Sequence, residues 1–412
     1  MISEPFAGID LQSITEDYET PFYLYDIRFV LERAHHIKEN LSSDIKLYYS
    51  VKANPNGKIL AKLSEFVDGA DISSGGELVK AIQAGYNPDK LSFAGPGKTD
   101  YELGQAIAAQ IGSISVESIN EFLRINKIAQ RMNKKANVSL RINPSRMFKE
   151  FAIKMGGKSS QFGIDEERYL DFFETLSQCS NCQFVGIHIY SGTQCLKPEV
   201  LIDNFCNTMD VVQKVVKETK TVPNIINFGG GFGVPYYENQ TAFDVKKVCS
   251  LFSEKFANFK IQNKLPELIG LIELGRYLVA EAGIYVTRII DIKESRGEKY
   301  CVMDGGMHHN LPASGNFGQI IRKNFKIANI SDSNGTVETV TVVGPLCTSI
   351  DILGKNISIP KPKIGDYLAV LNSGAYAYTA SPLLFLSHKL PDELMIDENN
   401  EVKPVGESFP SS

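Results

Sequence analysis

The sequence predicts an α/β protein with a TIM-like (β/α)8 barrel followed by an antiparallel β domain. Between residues 45 and 273, short and continuously apolar runs alternate with longer amphipathic stretches, as in parallel strands covered by helices. From residue 284 onward, Gly, Pro and Asn interrupt short runs of alternating character, which is typical of antiparallel sheet. A chain of 412 residues is also long enough for two domains.

Eight runs have the length and composition of buried strands. They are 45–51, 67–72, 90–94, 113–116, 137–142, 184–189, 224–228 and 268–273. Helices are expected between them, for example over 28–41 and 118–132, where apolar residues recur on one face. We therefore expect a barrel domain over 26–280 and a β domain made of 1–25 and 281–412.

Composition and charge exclude several classes of protein. The 43 Lys and Arg against 48 Asp and Glu give a net charge of -5 without blocks of like charge, which argues against a nucleic-acid or polybasic membrane binder. Polar residues interrupt both long uncharged stretches, 175–196 and 367–386, and the N-terminus has no secretory pattern, so we expect a cytoplasmic protein. The seven cysteines are sparse and lack a second metal-ligating pair, so no metal is expected.

Charged residues and glycines collect where the predicted strands end, and in a parallel barrel this edge carries the active site. In chain order the positions are Lys52, Ser74-Gly-Gly-Glu77, Arg141, His188, Gly229-Gly-Gly-Phe-Gly233 and Glu273-Leu-Gly-Arg276. The three consecutive glycines follow the seventh run, where backbone N–H groups can bind phosphate, although a tight turn alone explains them equally well. A dinucleotide fingerprint is excluded because Val234 stands where its third glycine belongs.

Lys52 and Glu273 each have two interpretations. A lysine at a strand end is most often simply solvated, but desolvation at the barrel mouth would favour the uncharged amine that Schiff-base chemistry needs. Glu273 can pair with Arg276 at i, i+3, or it can hold a pyridine nitrogen protonated, which makes the ring an electron sink. Arg276 could then bind phosphate or a substrate carboxylate.

Six motifs, in this order, resemble the fold-type III pyridoxal-phosphate decarboxylases, the family of the diaminopimelate, ornithine and arginine enzymes with an alanine racemase-like barrel. They are Tyr49-Ser-Val-Lys52-Ala-Asn54, Ser74-Gly-Gly-Glu77-Leu, Gly229-Gly-Gly-Phe-Gly233, Glu273-x-Gly-Arg276, Gly344-Pro-Leu-Cys347 with Asp351, and Gly374-Ala-Tyr376. The resemblance covers residues 20–390, and it implies an amino-acid decarboxylase with pyridoxal 5'-phosphate as cofactor.

The resemblance also implies roles for individual residues. Lys52 would bind the cofactor covalently, Glu273 would pair with its ring nitrogen, and Gly229, Gly230, Gly231, Gly275, Arg276 and Tyr376 would surround its phosphate. The family forms homodimers in which the cysteine matching Cys347 enters the partner's active site and helps deliver a proton, so the β domain would contribute to a shared site. Arg141, Thr348 and Asp351 are the residues expected to contact substrate.

The chain departs from the family after the sixth run. The family has His-x-Gly-Ser there, whereas this chain reads His188-Ile-Tyr190-Ser-Gly-Thr193-Gln. Alignment of the glycines places Tyr190 where the family's histidine stacks on the ring and Thr193 at the phosphate-binding hydroxyl, with His188 one layer deeper.

Both groups that read the distal end of a free amino acid are missing. Relatives that act on diamines have an acidic residue where this chain has Thr348, and the diaminopimelate enzymes have an Arg before the Pro of a Met-rich loop, which is absent from 307–312. This pattern is similar to a subgroup of antibiotic-pathway decarboxylases that act on glutamate held as a thioester on an acyl-carrier protein. The basic loop 146–163 also fits that subgroup, and its lysines would meet an acidic carrier or simply be solvated.

Other functions remain open at this point. They are decarboxylation of a free diaminopimelate, lysine or ornithine substrate, racemisation, and a non-catalytic protein that carries the cofactor. Racemases of this fold have Arg where Glu273 stands, and a non-catalytic protein would have lost groups such as Lys52 and Cys347.

Overall fold

A computed structural model of the protein describes residues 4–146, 148, 150–151, 153–154, 156–317, 319, 322–332 and 334–406, with the backbone alone at 153 and 154. The strands are β1 (Phe22–Asp26), β2 (Ile45–Ser50), β3 (Gly69–Ile72), β4 (Leu91–Phe93), β5 (Ser113–Val116), β6 (Ala136–Asn143), β7 (Ile153–Lys154), β8 (Ile164–Asp165), β9 (Cys182–His188), β10 (Gly192–Thr193), β11 (Ile225–Asn227), β12 (Ile269–Leu274), β13 (Gly283–Ser295), β14 (Glu298–Met303), β15 (Ile327–Asn329), β16 (Val337–Val343), β17 (Ile352–Pro360), β18 (Tyr367–Val370), β19 (Asp392–Ile396) and β20 (Val402–Pro404). The helices are α1 (Leu11–Asp17), α2 (Ile27–Asn40), α3 (Gly57–Ser64), α4 (Gly75–Gln83), α5 (Asp100–Ala109), α6 (Ile119–Arg131), α7 (Tyr169–Leu176), α8 (Pro198–Thr219), α9 (Val245–Asn263) and α10 (Arg276–Val279).

The chain divides into two compact units. Arg33–Val234 with Ala242–Gly275 form one, called here the barrel unit, and Met1–Glu32, Pro235–Thr241 and Arg276–Ser412 form the other, called the β unit. The sequence predicts domains at 26–280 and at 1–25 with 281–412, and these boundaries stay a prediction.

The barrel unit contains a closed parallel barrel, as predicted. Its strands follow the order β5-β4-β3-β2-β12-β11-β9-β6, and the pairing of β5 with β6 closes the ring. Each of the eight predicted runs overlaps one of these strands, and β5 has the predicted bounds. The short strand β8 extends the sheet beside β6.

Helices α3 to α9 connect successive barrel strands, and polar N-caps fix where several of them begin. Ser74 accepts a hydrogen bond from the N–H of Glu77, and Ser118 does the same for Glu121, so α4 and α6 begin directly after these residues. Thr99 and Glu102 form a capping box at the start of α5. The caps position each helix immediately after a strand end, where the candidate site lies.

Aromatic packing fills the layer between the sheet and its helices. Phe205 of α8 and Phe252 of α9 lie 4.3 Å apart between ring centroids, and Phe228, just after β11, contacts both. All three are essentially inaccessible to solvent. Each buried phenylalanine of this size contributes on the order of 2–3 kcal/mol through the hydrophobic effect, so this packing stabilises the layer between the sheet and its helices.

The β unit is built on a mixed sheet with the order β17-β16-β14-β13-β1-β19-β20, and β18 pairs with both β13 and β15. Most pairs are antiparallel, as expected, but β1 pairs with β19, and β14 with β16, in parallel. Alternation of apolar and polar residues indicates a half-buried strand and carries no information about the direction of its neighbour. A cluster of buried apolar residues, among them Phe22, Ile284 and Leu394, forms the core. Within its described residues the protein has no helix of the length and apolarity that a membrane span requires.

Candidate active site

The first functional side chain is Lys52, in the turn that follows β2. Its Nζ donates to Oδ2 of Asp71 at 2.5 Å, and Asp71 in β3 is completely buried. The turn that carries Lys52 packs closely against Gly275, where an added Cβ would lie only 2.7 Å from the Cβ of Ala53. The desolvation expected for Lys52 is not observed, because its side chain is 41% exposed and pairs with a carboxylate. The neighbouring acid, rather than burial, controls this amine.

Glu273 lies near the end of β12 and is buried. Its Oε1 accepts a hydrogen bond from the side-chain amide of Asn227, whose own Oδ1 accepts from the N–H of Gly229 at 2.9 Å. The pKa of Glu273 is raised to about 8, chiefly by burial and then by the charge of Asp71, while Lys52 and the Asn227 hydrogen bond partly counteract the rise. Glu273 is therefore an acid that retains a proton at neutral pH until a cation or strong donor approaches it.

His188 ends β9 beside this acid. Its Nε2 lies 3.6 Å from Oε2 of Glu273, and its Nδ1 shares a hydrogen bond of 3.0 Å with Ser115. Burial, together with the positive charge of Arg141, lowers the pKa of His188 well below its usual value, so the ring is neutral. A neutral ring therefore lies beside the Glu273 carboxyl group, without a hydrogen bond between them among the described residues.

The glycine loop after β11 could not be built from other residues. Gly229 and Gly231 have positive φ angles of 62° and 96°. A Cβ on Gly230 would lie 1.9 Å from the carbonyl oxygen of Glu273, and one on Gly231 would lie 2.6 Å from that of Gly192. The loop therefore presents bare backbone, as a site for an oxyanion requires.

A second loop runs alongside the glycines. The ring of Tyr190 covers Gly229, where an added Cβ would approach the Tyr190 Cδ2 to 2.4 Å. Thr193 lies in β10, which pairs with β7, and the N–H of Cys195 donates to the carbonyl oxygen of Gly231 at 2.9 Å. The buried hydroxyl of Ser191 has no hydrogen-bond partner among the described residues. The two loops together form a polar cradle with an unsatisfied donor.

Arg141 belongs to a group of buried ion pairs at the carboxyl ends of the barrel strands. Its Nη1 donates to Oε1 of Glu117 at 2.6 Å, and Glu117 also accepts from the N–H groups of Gly95 and Gly163. Lys98 pairs with Glu121 at 2.8 Å. The guanidinium of Arg141 is thus already held by protein, and its predicted contact with substrate stays a prediction.

In the β unit, Arg276 lies between two tyrosines. Its Nη1 donates to the hydroxyl of Tyr236 at 2.9 Å, and the guanidinium carbon lies 4.7 Å from the ring centroid of Tyr376. Stacking on aromatic rings orients an arginine without consuming all of its donors. Tyr236 was not singled out in the sequence, although its position beside Tyr237, after the glycine loop, is a signal of aromatic packing.

Cys347, Thr348 and Asp351 share one loop of the β unit. Cys347 is exposed, and the N–H of Thr348 donates to the carbonyl oxygen of Leu346 at 2.8 Å. Asp351 is buried, and both of its carboxylate oxygens accept hydrogen bonds from backbone N–H groups. The substrate contact expected for Asp351 from the sequence stays a prediction.

The predicted basic loop is only partly described. Lys149 and the side chain of Lys154 lie outside the described residues, and so do Met147 and Met155. Arg146 contacts the ring of Phe148, with 4.8 Å between the guanidinium carbon and the ring centroid.

Sequence analysis missed two residues that hydrogen-bond to the candidate site residues Lys52 and Glu273, namely Asp71 and Asn227. Asp71 was hidden inside a strand run, and Asn227 precedes the glycines without any motif of its own. The signal that would have found both is a polar residue at the carboxyl end of an otherwise apolar parallel strand.

The residues of the barrel unit fit a phosphorylated pyridine. The glycine cradle offers backbone donors, Glu273 is an acid whose pKa is raised, and buried polar atoms of Asp71 (Oδ1) and His188 (Nε2) have no hydrogen-bond partner among the described residues. Lys52 supplies the amine nearby.

Comparisons with known proteins agree with this chemistry. Residues 27–280 match the family described as pyridoxal-dependent decarboxylase, pyridoxal binding domain. The chain is 37% identical to L-glutamyl-[BtrI acyl-carrier protein] decarboxylase of Niallia circulans, over 94% of this chain and 91% of the relative. It is 33% identical to diaminopimelate decarboxylase of Bacteroides thetaiotaomicron, over 87% and 91% of the two chains.

A third relative and a solved structure extend the comparison. The chain is 30% identical to 2-[(L-alanin-3-ylcarbamoyl)methyl]-2-hydroxybutanedioate decarboxylase of Staphylococcus aureus, over 92% of this chain and 94% of the relative. The crystal structure of diaminopimelate decarboxylase from Helicobacter pylori in complex with L-lysine has a TM-score of 0.84 and 28% identity, covering 96% of this chain and 95% of that one.

Proposed function

The chain belongs to the pyridoxal-dependent decarboxylase family, and from this premise we propose that it removes the α-carboxylate of an L-glutamyl group held as a thioester on an acyl-carrier protein. The product is the γ-aminobutyryl-carrier, an intermediate of antibiotic biosynthesis. One observation carries the choice of substrate: the positions that would bind a charged distal end hold Thr348 and a loop, 307–312, without arginine. The relative from Niallia circulans, which is named for a carrier-bound substrate, supports it.

The cofactor is pyridoxal 5'-phosphate, which when bound supplies an electron sink for the carbon that loses carbon dioxide. Lys52 is the residue for covalent attachment, and Asp71 orients its amine and holds the proton that the amine must give up. The Gly229–Gly231 backbone, Gly275, Thr193, Arg276 and Tyr376 are proposed for the phosphate. Tyr190 is proposed for the face of the ring.

Glu273 is proposed as the partner of the ring nitrogen. Its raised pKa suits this role, because a carboxylate in a buried site gains more from a hydrogen bond with a cation than one in water does. Asn227 donates a hydrogen bond to Oε1 of Glu273, and Nε2 of His188 lies 3.6 Å from its Oε2. The hydrogen bond from Asn227 therefore orients the carboxyl group before a ligand binds.

At the distal end of the substrate, a neutral Thr348 cannot offset the desolvation of an ammonium group as a carboxylate does, a loss of roughly 3–5 kcal/mol for a buried charge. A glutamyl thioester carries no distal charge, so it avoids this loss. Arg141 is proposed for the α-carboxylate side of the substrate. The basic loop 146–163 is proposed to contact the acidic carrier.

We also propose that the enzyme is a cytoplasmic homodimer with shared active sites, in which Cys347 acts in the partner's site. Cys347 is exposed, so its thiol is accessible to a second copy of the chain. Leu384, Phe385 and Leu386 form an exposed apolar run in the same unit, with Leu384 81% exposed. Contiguous exposed apolar residues of this kind are typical of an interface. A thiol in this position also fits a reducing compartment.

The second candidate is decarboxylation of a free amino acid of the diaminopimelate, lysine or ornithine type. The similarity to several diaminopimelate decarboxylases favours it. Racemisation is disfavoured because Glu273 keeps the ring a strong electron sink, and a non-catalytic role is disfavoured because Lys52, Glu273 and Cys347 are all present.

The test compares substrates directly. The enzyme, loaded with pyridoxal 5'-phosphate, is incubated with glutamyl-carrier, free glutamate, lysine, ornithine and diaminopimelate, and the loss of carbon dioxide is followed by mass spectrometry. We expect turnover of glutamyl-carrier with kcat/KM well above that for every free amino acid, and none with Lys52→Ala. Higher efficiency with a free diamino acid would replace the proposal by the second candidate.

A further inference from the structure

Asp351 joins two loops of the β unit through its carboxylate. Its Oδ1 accepts a hydrogen bond from the N–H of Met307 at 2.7 Å, and its Oδ2 accepts one from the N–H of Leu346 at 2.9 Å. The residue is only 2% exposed. Both oxygens are thus occupied by main-chain donors, one from each loop.

Two glycines make room for this carboxylate. A Cβ on Gly306 would lie 2.4 Å from Oδ1 of Asp351, and a Cβ on Gly344 would lie 2.3 Å from Oδ2. Neither distance is possible for a real side chain, so the approach of the two loops requires glycine at both positions. The contact is therefore a built feature of the fold, rather than an incidental hydrogen bond.

The main chain closes the same loop around Cys347. The N–H of Gly344 donates to the carbonyl oxygen of Asp351 at 3.1 Å, and the N–H of Asp351 donates to that of Thr348 at 3.4 Å. The two ends of the loop 344–351 are thus joined by a backbone hydrogen bond between Gly344 and Asp351. The exposed Cys347 lies between these ends. Burying a carboxylate is costly, and burial raises the pKa of Asp351, so the fold maintains this contact against a penalty.

We propose that Asp351 is a positioning residue for Cys347: its carboxylate fastens the loop 344–351 to the segment at 306–307 and so fixes where the thiol can deliver its proton. The inference rests on the proposed function of Cys347. In that step the thiol S–H bond breaks, the proton passes to the carbon that has lost carbon dioxide, and the thiolate regains a proton from solvent. In this role Asp351 acts on the reaction through the position of the loop.

Asp351→Asn tests the proposal with little change of shape. The amide keeps one acceptor oxygen but turns an NH2 group toward a backbone donor, so one of the two hydrogen bonds is lost. Hydrogen exchange of the cofactor-loaded enzyme, followed by mass spectrometry, should speed up roughly tenfold at 344–351 or at 305–310. The kcat should fall by roughly tenfold, with KM changed by less than about twofold.

A double-mutant comparison separates positioning from general damage. In a Cys347→Ala background, Asp351→Asn should cause no further loss of kcat, because its effect passes through the thiol. An equal loss in both backgrounds, or unchanged exchange in both loops, overturns the proposal. If Cys347→Ala itself kept full activity, the proton-delivery role in the proposed function would fail, while the exchange measurement would still decide whether Asp351 holds the loop.

Two further variants test whether the effects of Asp351→Asn come from the contact between the two loops rather than from general destabilisation of the β unit. Gly306→Ala leaves Asp351 in place but drives a methyl group against its Oδ1, and it should raise exchange at 344–351 although the substitution lies in the other loop. Asp366→Asn is the matched control, since Asp366 accepts from the N–H of Lys363 at 2.8 Å in a different loop of the same unit. It should leave kcat and exchange at 344–351 unchanged. Failure of Gly306→Ala to affect 344–351 would also refute the connection.

Discussion

Replacing Glu273 by glutamine should make the cofactor-free protein more stable and the enzyme nearly inactive. The substitution keeps the shape and an acceptor for the Asn227 amide, but it removes a carboxyl group whose pKa burial has raised from near 4.5 to about 8. At about 1.4 kcal/mol per pKa unit, such a rise corresponds to about 5 kcal/mol. The full penalty applies only where the folded protein also loses the proton.

The sign follows from proton linkage. Between pH 4.5 and about 8 the unfolded chain has released the proton of Glu273 while the folded chain keeps it, so the contribution of this group to stability falls as pH rises. Glu273→Gln has no such dependence. The variant should gain little at pH 4.5, about 3 kcal/mol at pH 7 and about 5 kcal/mol above pH 8.

The assay is urea unfolding of cofactor-free wild type and variant at several pH values, with activity measured on the loaded enzymes. The kcat of Glu273→Gln should fall at least roughly 10- to 100-fold, since a neutral amide loses a charge-assisted hydrogen bond to the ring. Glu267→Gln, at an exposed position just before β12, is the control for substitution itself and should change neither property. A variant that is less stable at pH 7, or a stability difference independent of pH, would refute the reasoning.

Three further variants test the remaining parts of the site. Gly230→Ala should weaken cofactor binding in an absorbance titration, because its Cβ would collide with the carbonyl oxygen of Glu273 at 1.9 Å; Gly104→Ala, with open space around it, is the control, and equal binding by both would contradict the cradle. Thr348→Glu should lower the KM for free lysine by roughly tenfold, and an unchanged KM in steady-state assays would remove Thr348 from the distal site. Asp71→Asn should lower the pH midpoint of cofactor attachment by about one unit, since Lys52 loses the acid 2.5 Å away; a higher midpoint would count against this pairing.

The barrel was predictable because its strands are buried on both faces. A parallel strand of this kind is a continuous apolar run, and such runs stand out between amphipathic helices. The run 113–116 became β5 with the same bounds for this reason. The parallel pairs of β1 with β19 and of β14 with β16 were not predictable, because they join segments far apart in sequence whose patterns fit either direction.

The site was predictable in its residues but less so in its interactions. Their positions at strand ends singled out Lys52 and Glu273 as candidates. The charge and hydrogen bonding of each side chain depend on Asp71 and Asn227, which other strands contribute. Desolvation of Lys52 was wrong because Asp71, 19 residues later in the chain, pairs with it. The hydrogen bonds of Asp351 were not predicted either, since its backbone partners at Met307 and Leu346 cannot be read from a motif.

The arrangement of charges in the barrel unit explains why Glu273 differs from its neighbours. Each other buried acid at the mouth has its own cation: Asp71 has Lys52, Glu117 has Arg141, and Glu121 has Lys98. Within the described part of this unit, Glu273 instead faces the neutral amide of Asn227 and the neutral ring of His188.

Burial, and then the charge of Asp71, raise the pKa of Glu273, so this acid retains its proton at neutral pH. When a ligand brings a positively charged nitrogen to Oε2, the penalty of ionising Glu273 is offset by a direct ion pair in a buried site. The other acids gain nothing comparable, because their cations are already in place. Under the proposed function, Glu273 is therefore the carboxyl group at the barrel mouth that would pair with the positive charge of the bound cofactor.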